Sequence, residues 1–146
     1  MDAARAEVAS AAKNGADSHA VYLQLADGAG KVGDREAEAA ALAKALELQP
    51  RAAATLSRLA SLFIEQRKFD RAALYLNRVT ALDPDSATSY FQLAVAEEGR
   101  YHFPDAGKAY ARAVALAPDN DSYRQRYDVF KEKLERNRKL ANSKSP

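Results

Sequence analysis

Residues 53–84 read AATLSRLASLFIEQRKFDRAALYLNRVTALDP, and both halves carry one periodicity. In the first half, Leu56, Leu59, Ala60 and Phe63 recur at the i, i+3, i+4 and i+7 spacing of one helical face. In the second, Phe69, Ala72, Ala73, Leu76, Val79 and Leu82 make a comparable stripe. The polar run EQRK, Glu65 to Lys68, separates the two. Pro84 stops the second helix, because a proline ring clashes with the preceding helical turn. The stretch is a helical hairpin.

Working outward, the same hairpin recurs. Pro50 closes ALELQP, Pro84 closes TALDP and Pro118 closes VALAP, at intervals of 34 and 34 residues. Superposed at that interval, Tyr22, Leu56 and Tyr90 share a column, as do Leu25, Leu59 and Leu93, and Ala26, Ala60 and Ala94. Leu42, Leu76 and Tyr110 align, then Ala45, Val79 and Ala113, then Leu48, Leu82 and Leu116. Columns of like chemistry at one fixed interval define a repeat array, so the expected class is all-α, an α-solenoid of helix-turn-helix hairpins. Small alanine columns let paired helices approach closely. Pro104, just after Phe103, falls in a first helical turn, where proline loses no hydrogen bond.

Composition agrees. Alanine supplies 33 of the 146 residues, whereas valine and isoleucine together supply eight, too few for a sheet buried on both faces. With no cysteine, disulfide and thiolate chemistry are excluded. The net charge of +2 sets up no global field to recruit nucleic acid or anionic lipid. No apolar run approaches the roughly 20 residues that span a bilayer, and MDAARAEVAS lacks the layout of a signal peptide. The expected compartment is the cytoplasm.

The 34-residue helix-turn-helix unit with this order of Tyr/Leu, Leu-Ala, Ala, bulky apolar, Ala and terminal Pro resembles the tetratricopeptide repeat. The resemblance implies three units, at 19–52, 53–86 and 87–120, within a single domain spanning 1–141. It is weakest in the first unit, where Glu38 stands in the column of Ala72 and Ala106 and Arg35 replaces the aromatic of Phe69 and Phe103. An N-terminal helix over 1–15 is in register with the second helix of a preceding unit, and reads as a cap or half-repeat, or as the edge of a longer array. A capping helix over 121–141 puts Tyr123, Tyr127, Phe130 and Leu134 on one face, with Asp119, Asn120 or Asp121 to start it. Residues 142–146 read as a disordered tail.

One motif points elsewhere. Gly28, Gly30 and Gly33 have the G-x-G-x-x-G spacing of a dinucleotide-binding loop, after the apolar run AVYLQLA. That loop needs a strand before it and a sheet around it, and the alternating elements are missing. Gly33 reads instead as a turn between helices, with Gly28 and Gly30 in the last turns of the helix before it.

In such a solenoid the first helices line the concave face with residues the core does not use. Those positions are Leu23, Gln24 and Asp27 in the first unit, Arg58, Ser61 and Ile64 in the second, and Phe91, Gln92 and Val95 in the third. The capping helix adds Gln125, Arg126 and Val129. Phe91, Val95 and Val129 form an apolar spot flanked by Arg58 and Arg126, the composition of an interaction hot spot. The competing reading packs Phe91 and Val95 against the capping helix. The expected function is a non-enzymatic protein-interaction scaffold that binds a peptide or helix of another protein in this groove. The alternative is self-assembly of the chain through its terminal helices.

Other chemistries have little support. A chaperone-tail clamp, as one subclass of the family carries, would need Lys and Asn where this chain has Leu23 and Asp27, Asn where it has Arg58, and Lys and Arg where it has Thr88 and Gln92, and none matches. His19 and His102 fall at different repeat positions and read as solvent-facing or turn residues, so no catalytic residue, metal or cofactor is expected. In KEKLERNRK, Lys131 to Lys139, basic residues alternate with Glu132 and Glu135, which reads as a solvated face rather than a nucleic-acid or membrane contact.

Overall fold

A computed structural model describes residues 17–143, together with Ala6 and Ser10. Over that span the chain is seven helices with no strand among the described residues: α1 (Ser18–Lys31), α2 (Arg35–Leu48), α3 (Ala53–Glu65), α4 (Phe69–Leu82), α5 (Ala87–Gly99), α6 (Phe103–Leu116) and α7 (Asp121–Ser143). They stack as three hairpins, α1–α2, α3–α4 and α5–α6, with α7 laid on the last. The expected N-terminal helix over 1–15 lies outside the described residues, apart from helical Ala6 and Ser10.

Each hairpin turns in the same way. Gly33, Arg67 and Tyr101 all have positive φ, at 76°, 57° and 63°, and stand 34 residues apart. The next residue's amide bonds back to the carbonyl five residues earlier: Asp34 to Ala29 at 3.0 Å, Lys68 to Phe63 at 2.8 Å and His102 to Glu97 at 2.9 Å. This is the wrap-around bond that closes a helix with a left-handed residue. Glycine takes that conformation freely, whereas Arg67 and Tyr101 bear a cost of about 1 kcal/mol each. Gly33 of the glycine motif is therefore a turn residue, and Gly28 and Gly30 lie within α1.

The alanine columns do what their size allows. Ala26, Ala60 and Ala94 are fully buried, as are Ala72 and Ala106, so the helices of each hairpin meet at small side chains. Leu42, Leu56, Leu59, Leu76, Tyr110 and Phe130 are the largest fully buried side chains and run as one core through all three hairpins into α7. The Cβ that Gly99 lacks would lie 2.4 Å from the Phe69 ring, so only glycine lets that ring close over the end of α5.

Three expectations are refined. Asn120 caps α7, its Oδ1 accepting from the Tyr123 amide at 3.1 Å. α7 continues through Asn142 to Ser143, beyond the boundary expected at 141, because nothing in that stretch breaks a helix and Ser143 Oγ bonds the Leu140 carbonyl at 2.9 Å. His19, expected at the surface, is buried, and its Nδ1 donates to the Ala45 carbonyl at 3.0 Å. A carbonyl can only accept, so this nitrogen carries the proton.

Candidate functional site

All twelve residues expected on the concave face remain at least partly exposed, and none belongs to the fully buried core. Gln24, Asp27, Gln125 and Val129 are open, while Leu23, Arg58, Ser61, Ile64, Phe91, Gln92, Val95 and Arg126 are half-buried. They come from α1, α3, α5 and α7, and side-chain bonds tie each helix to another across the face.

At one end, Arg58 of α3 donates from Nη2 and Nε to Glu38 Oε1 of α2, at 2.7 and 3.0 Å, and from Nη1 to Asp27 of α1. Arg35 donates to the other oxygen of Glu38 at 3.0 Å. Glu38 is thus buried yet doubly compensated, as a buried carboxylate must be. Room for it exists because Gly30 has no side chain; a Cβ there would sit 3.2 Å from the carboxyl atoms. Burial works to lower the Arg58 pKa, but the bonds to Asp27 and Glu38 outweigh it and raise the value.

In the middle, Gln92 of α5 donates to Ser61 Oγ of α3 at 2.8 Å, and Ser61 in turn donates to the Ser57 carbonyl at 3.0 Å. At the far end Glu98 of α5 gathers three donors: Arg126 at 2.7 Å, Tyr110 at 3.0 Å and Lys133 at 3.1 Å. Burial and the neighbouring Glu98 charge raise the Tyr110 pKa well above its ordinary value of 10.0, so the phenol stays protonated and donates. Arg58, Gln92 and Arg126 occupy one repeat position, and each reaches back to an earlier helix.

Phe91 is shared between the two readings of it. Its ring stacks on Tyr123 of α7 at 4.3 Å with a 15° tilt and meets Tyr110 edge-on at 5.7 Å. It packs against the capping helix while keeping a partly open edge. Val95 also packs on the core in part, and Val129 is half exposed. Sequence reasoning put Glu98 on this face but did not assign Glu38, Tyr110 or Tyr123 to it. The usable signal was an exchange between columns: Gly30 with Glu38 in the first unit becomes Glu98 with Ala106 in the third.

Away from this face, Glu97, His102 and Asp105 hold donor atoms within 4.8 Å of one another, a proximity that their repeat positions did not reveal. Glu97 is buried and takes bonds of 3.0 Å to each oxygen from Arg100, with His102 Nδ1 at 3.2 Å. A cation there would have to displace a guanidinium from its bidentate partner, which the chemistry disfavours. No described helix is long and apolar enough to cross a membrane.

Comparison with known proteins bears on the fold. Residues 53–86 match the family model for the tetratricopeptide repeat. No curated protein matches the chain. Among solved structures, a MamA RS-1 double mutant aligns with a TM-score of 0.77 and 21% identity, covering 85% of this chain and 70% of that one. The first tetratricopeptide domain of Spaghetti (RPAP3), bound to the HSP90 peptide SRMEEVD, aligns at 0.73 and 20%, covering 80% and 93%. The tetratricopeptide domain of Arabidopsis OM64 aligns at 0.71 and 17%, covering 79% and 95%. At these identities the likeness is one of fold. The fold and the middle repeat together define the class: residues 53–86 match the tetratricopeptide repeat, and the chain folds as an all-α solenoid of helical hairpins like those of tetratricopeptide-repeat proteins.

Proposed function

We propose that the chain is a non-enzymatic interaction scaffold that binds a peptide or helix of a partner protein along its concave face. The observation that carries this reading is that the twelve residues expected to line the face stay partly exposed, although side-chain bonds tie their helices to one another. A surface held rigid before binding loses little freedom on docking. The RPAP3 domain of similar fold is bound to a peptide, and that precedent favours the same use here.

The arrangement also shifts the weight within the site. Arg58 and Arg126 spend their guanidinium groups on Glu38, Asp27 and Glu98, so they serve as fixed walls rather than free anchors. Val95, Val129, Ile64 and the open edge of Phe91 supply the apolar contact, with Gln24 and Gln125 as polar ends. Peptides selected from a random displayed library on the wild-type protein test this reading. They should lose at least about tenfold in affinity for Val95→Glu/Val129→Glu, since a charge in an apolar contact is costly. Selection of peptides indifferent to that double variant, or recovery of none, would count against the groove. Sedimentation at rising concentration separates the alternative, a self-assembling array, because a groove binder alone stays monomeric.

A further inference from the structure

The outward side of α4 is unlike that of α2 or α6. Arg67, Lys68, Arg71 and Arg78 lie along it at helical spacing, and none has a carboxylate partner among the described residues, whereas six other arginines do. One repeat earlier the same positions are Gly33, Asp34, Ala37 and Lys44, and one later Tyr101, His102, Asp105 and Arg112. Lys44 meets Glu47 and Arg112 meets Asp85, so only the middle unit gathers unopposed positive charge.

Arg78 also serves the fold, donating to the Pro50 carbonyl as Arg112 does to Pro84, but Arg67 and Lys68 bear a local cost. Lys68 begins α4 without a side-chain cap, where Asp34 caps α2, and a cation at a helix start opposes the helix dipole. Arg67 takes the left-handed turn conformation that Tyr101 also takes one repeat later and that Gly33 takes without cost. Residues that bear local cost mark function more often than packing. The guanidiniums are also held in place: Arg67 lies over Phe69 at 5.6 Å, Arg71 over Phe63 at 5.6 Å and Arg78 over Tyr75 at 5.9 Å. Leu74, 62% exposed, sits among them. At the head of the stripe a hollow of about 380 Å³ opens between Arg67, Lys68, Phe69, Arg71 and Arg100.

We propose that this outward face of α4 is a second docking surface, for an acidic segment of a partner protein whose carboxylates meet Arg67, Lys68 and Arg71 and whose apolar side chain covers Leu74. Charge complementarity picks the occupant, and the central leucine separates a protein segment from other polyanions. Nucleic acid follows longer basic tracks than this one. Asp70 in the hollow is taken up by Arg100 at 2.7 Å, which leaves Arg67, Lys68 and Arg71 to meet the carboxylates. The surface is independent of the concave groove.

Fluorescence anisotropy with a labelled, C-terminally amidated peptide in which Glu pairs flank a central Leu tests the proposal. Binding should be micromolar at low salt and at least about tenfold weaker in 0.5 M NaCl, as screening requires. Lys68→Ser/Arg71→Ser should weaken it at least about tenfold while the helix melts as before, because serine is a competent cap. Leu74→Ala should weaken it about threefold, and the groove variant Val95→Glu/Val129→Glu should leave it unchanged. Four results would overturn the proposal: no binding at low salt, indifference to Lys68→Ser/Arg71→Ser, loss in the groove variant, or tighter binding to oligothymidine or to phosphatidylserine vesicles than to the peptide.

Discussion

Arg58 meets the buried Glu38 carboxylate at 2.7 Å, and Arg126, two repeat intervals later, meets Glu98 at the same separation. The two arginines share a repeat position, but the carboxylates come from opposite helices of their hairpins. In the first unit the second helix supplies Glu38 opposite Gly30; in the third the first helix supplies Glu98 and Ala106 takes the small position. Each arginine therefore joins its own helix to the hairpin before it.

Removing one of these arginines should loosen the array. Arg58→Met leaves Glu38 with Arg35 alone, and the expected loss is about 1–2 kcal/mol, below that of a fully buried pair because Arg58 is partly solvated. Urea unfolding of Arg58→Met, Glu38→Ala and the double variant measures the coupling. Additive effects would show the contact to be incidental.

The glycines separate by what surrounds them. Gly28→Ala meets open space inside α1 and should stabilise by up to about 1 kcal/mol. Gly30→Ala should gain little while Glu38 is present, and more in a Glu38→Ala background, since the carboxyl occupies its space. Gly99→Ala should cost about 1–3 kcal/mol by driving a methyl group into the Phe69 ring, with partial recovery in Phe69→Ala. Thermal melts of the set decide it.

Tyr110 should report alkaline unfolding. Its folded pKa lies above the unfolded value of 10.0, so the neutral phenol is favoured in the native state. The sign follows: the stabilisation is complete below about pH 10 and is lost as pH rises from there through the folded pKa. Tyr110→Phe should flatten that part of the stability curve, at some cost below pH 10 from Glu98 losing a donor.

Turn strain gives a further check. Tyr101 holds φ at 63° and is 78% exposed, so Tyr101→Gly relieves the backbone and loses an edge contact to Phe103 at 6.1 Å. The expected net change is a stabilisation of about 0.5–1 kcal/mol in a thermal melt.

The hairpins were legible because periodicity and interval are properties of consecutive residues: Leu56, Leu59, Ala60 and Phe63 state a helix face without help from afar. The same holds for the prolines and the alanine columns. Glu38 was not legible in this way. Alone it looks like a flaw in an alanine column, and its reason lies with Gly30, eight positions back, and Arg58, twenty positions on. Arg58 and Arg126 share a repeat column that the sequence displays, yet their carboxylate partners, which decide whether they are free to bind, come from other helices. Phe91 could be assigned to groove or cap from its column, and the stacking on Tyr123 shows that it serves the cap with one face. His19 carried no pattern at all, because a lone histidine bonded to a backbone carbonyl leaves no trace in spacing.

Chemical-shift mapping tests the functional account most directly. Titrating ¹⁵N-labelled protein with a library-selected peptide should move the amides of Ser61, Gln92, Val95 and Val129 on the concave face and spare α2 and α6. Shifts confined to the outward helices, or line broadening that follows protein concentration with no peptide present, would contradict a groove that binds a partner.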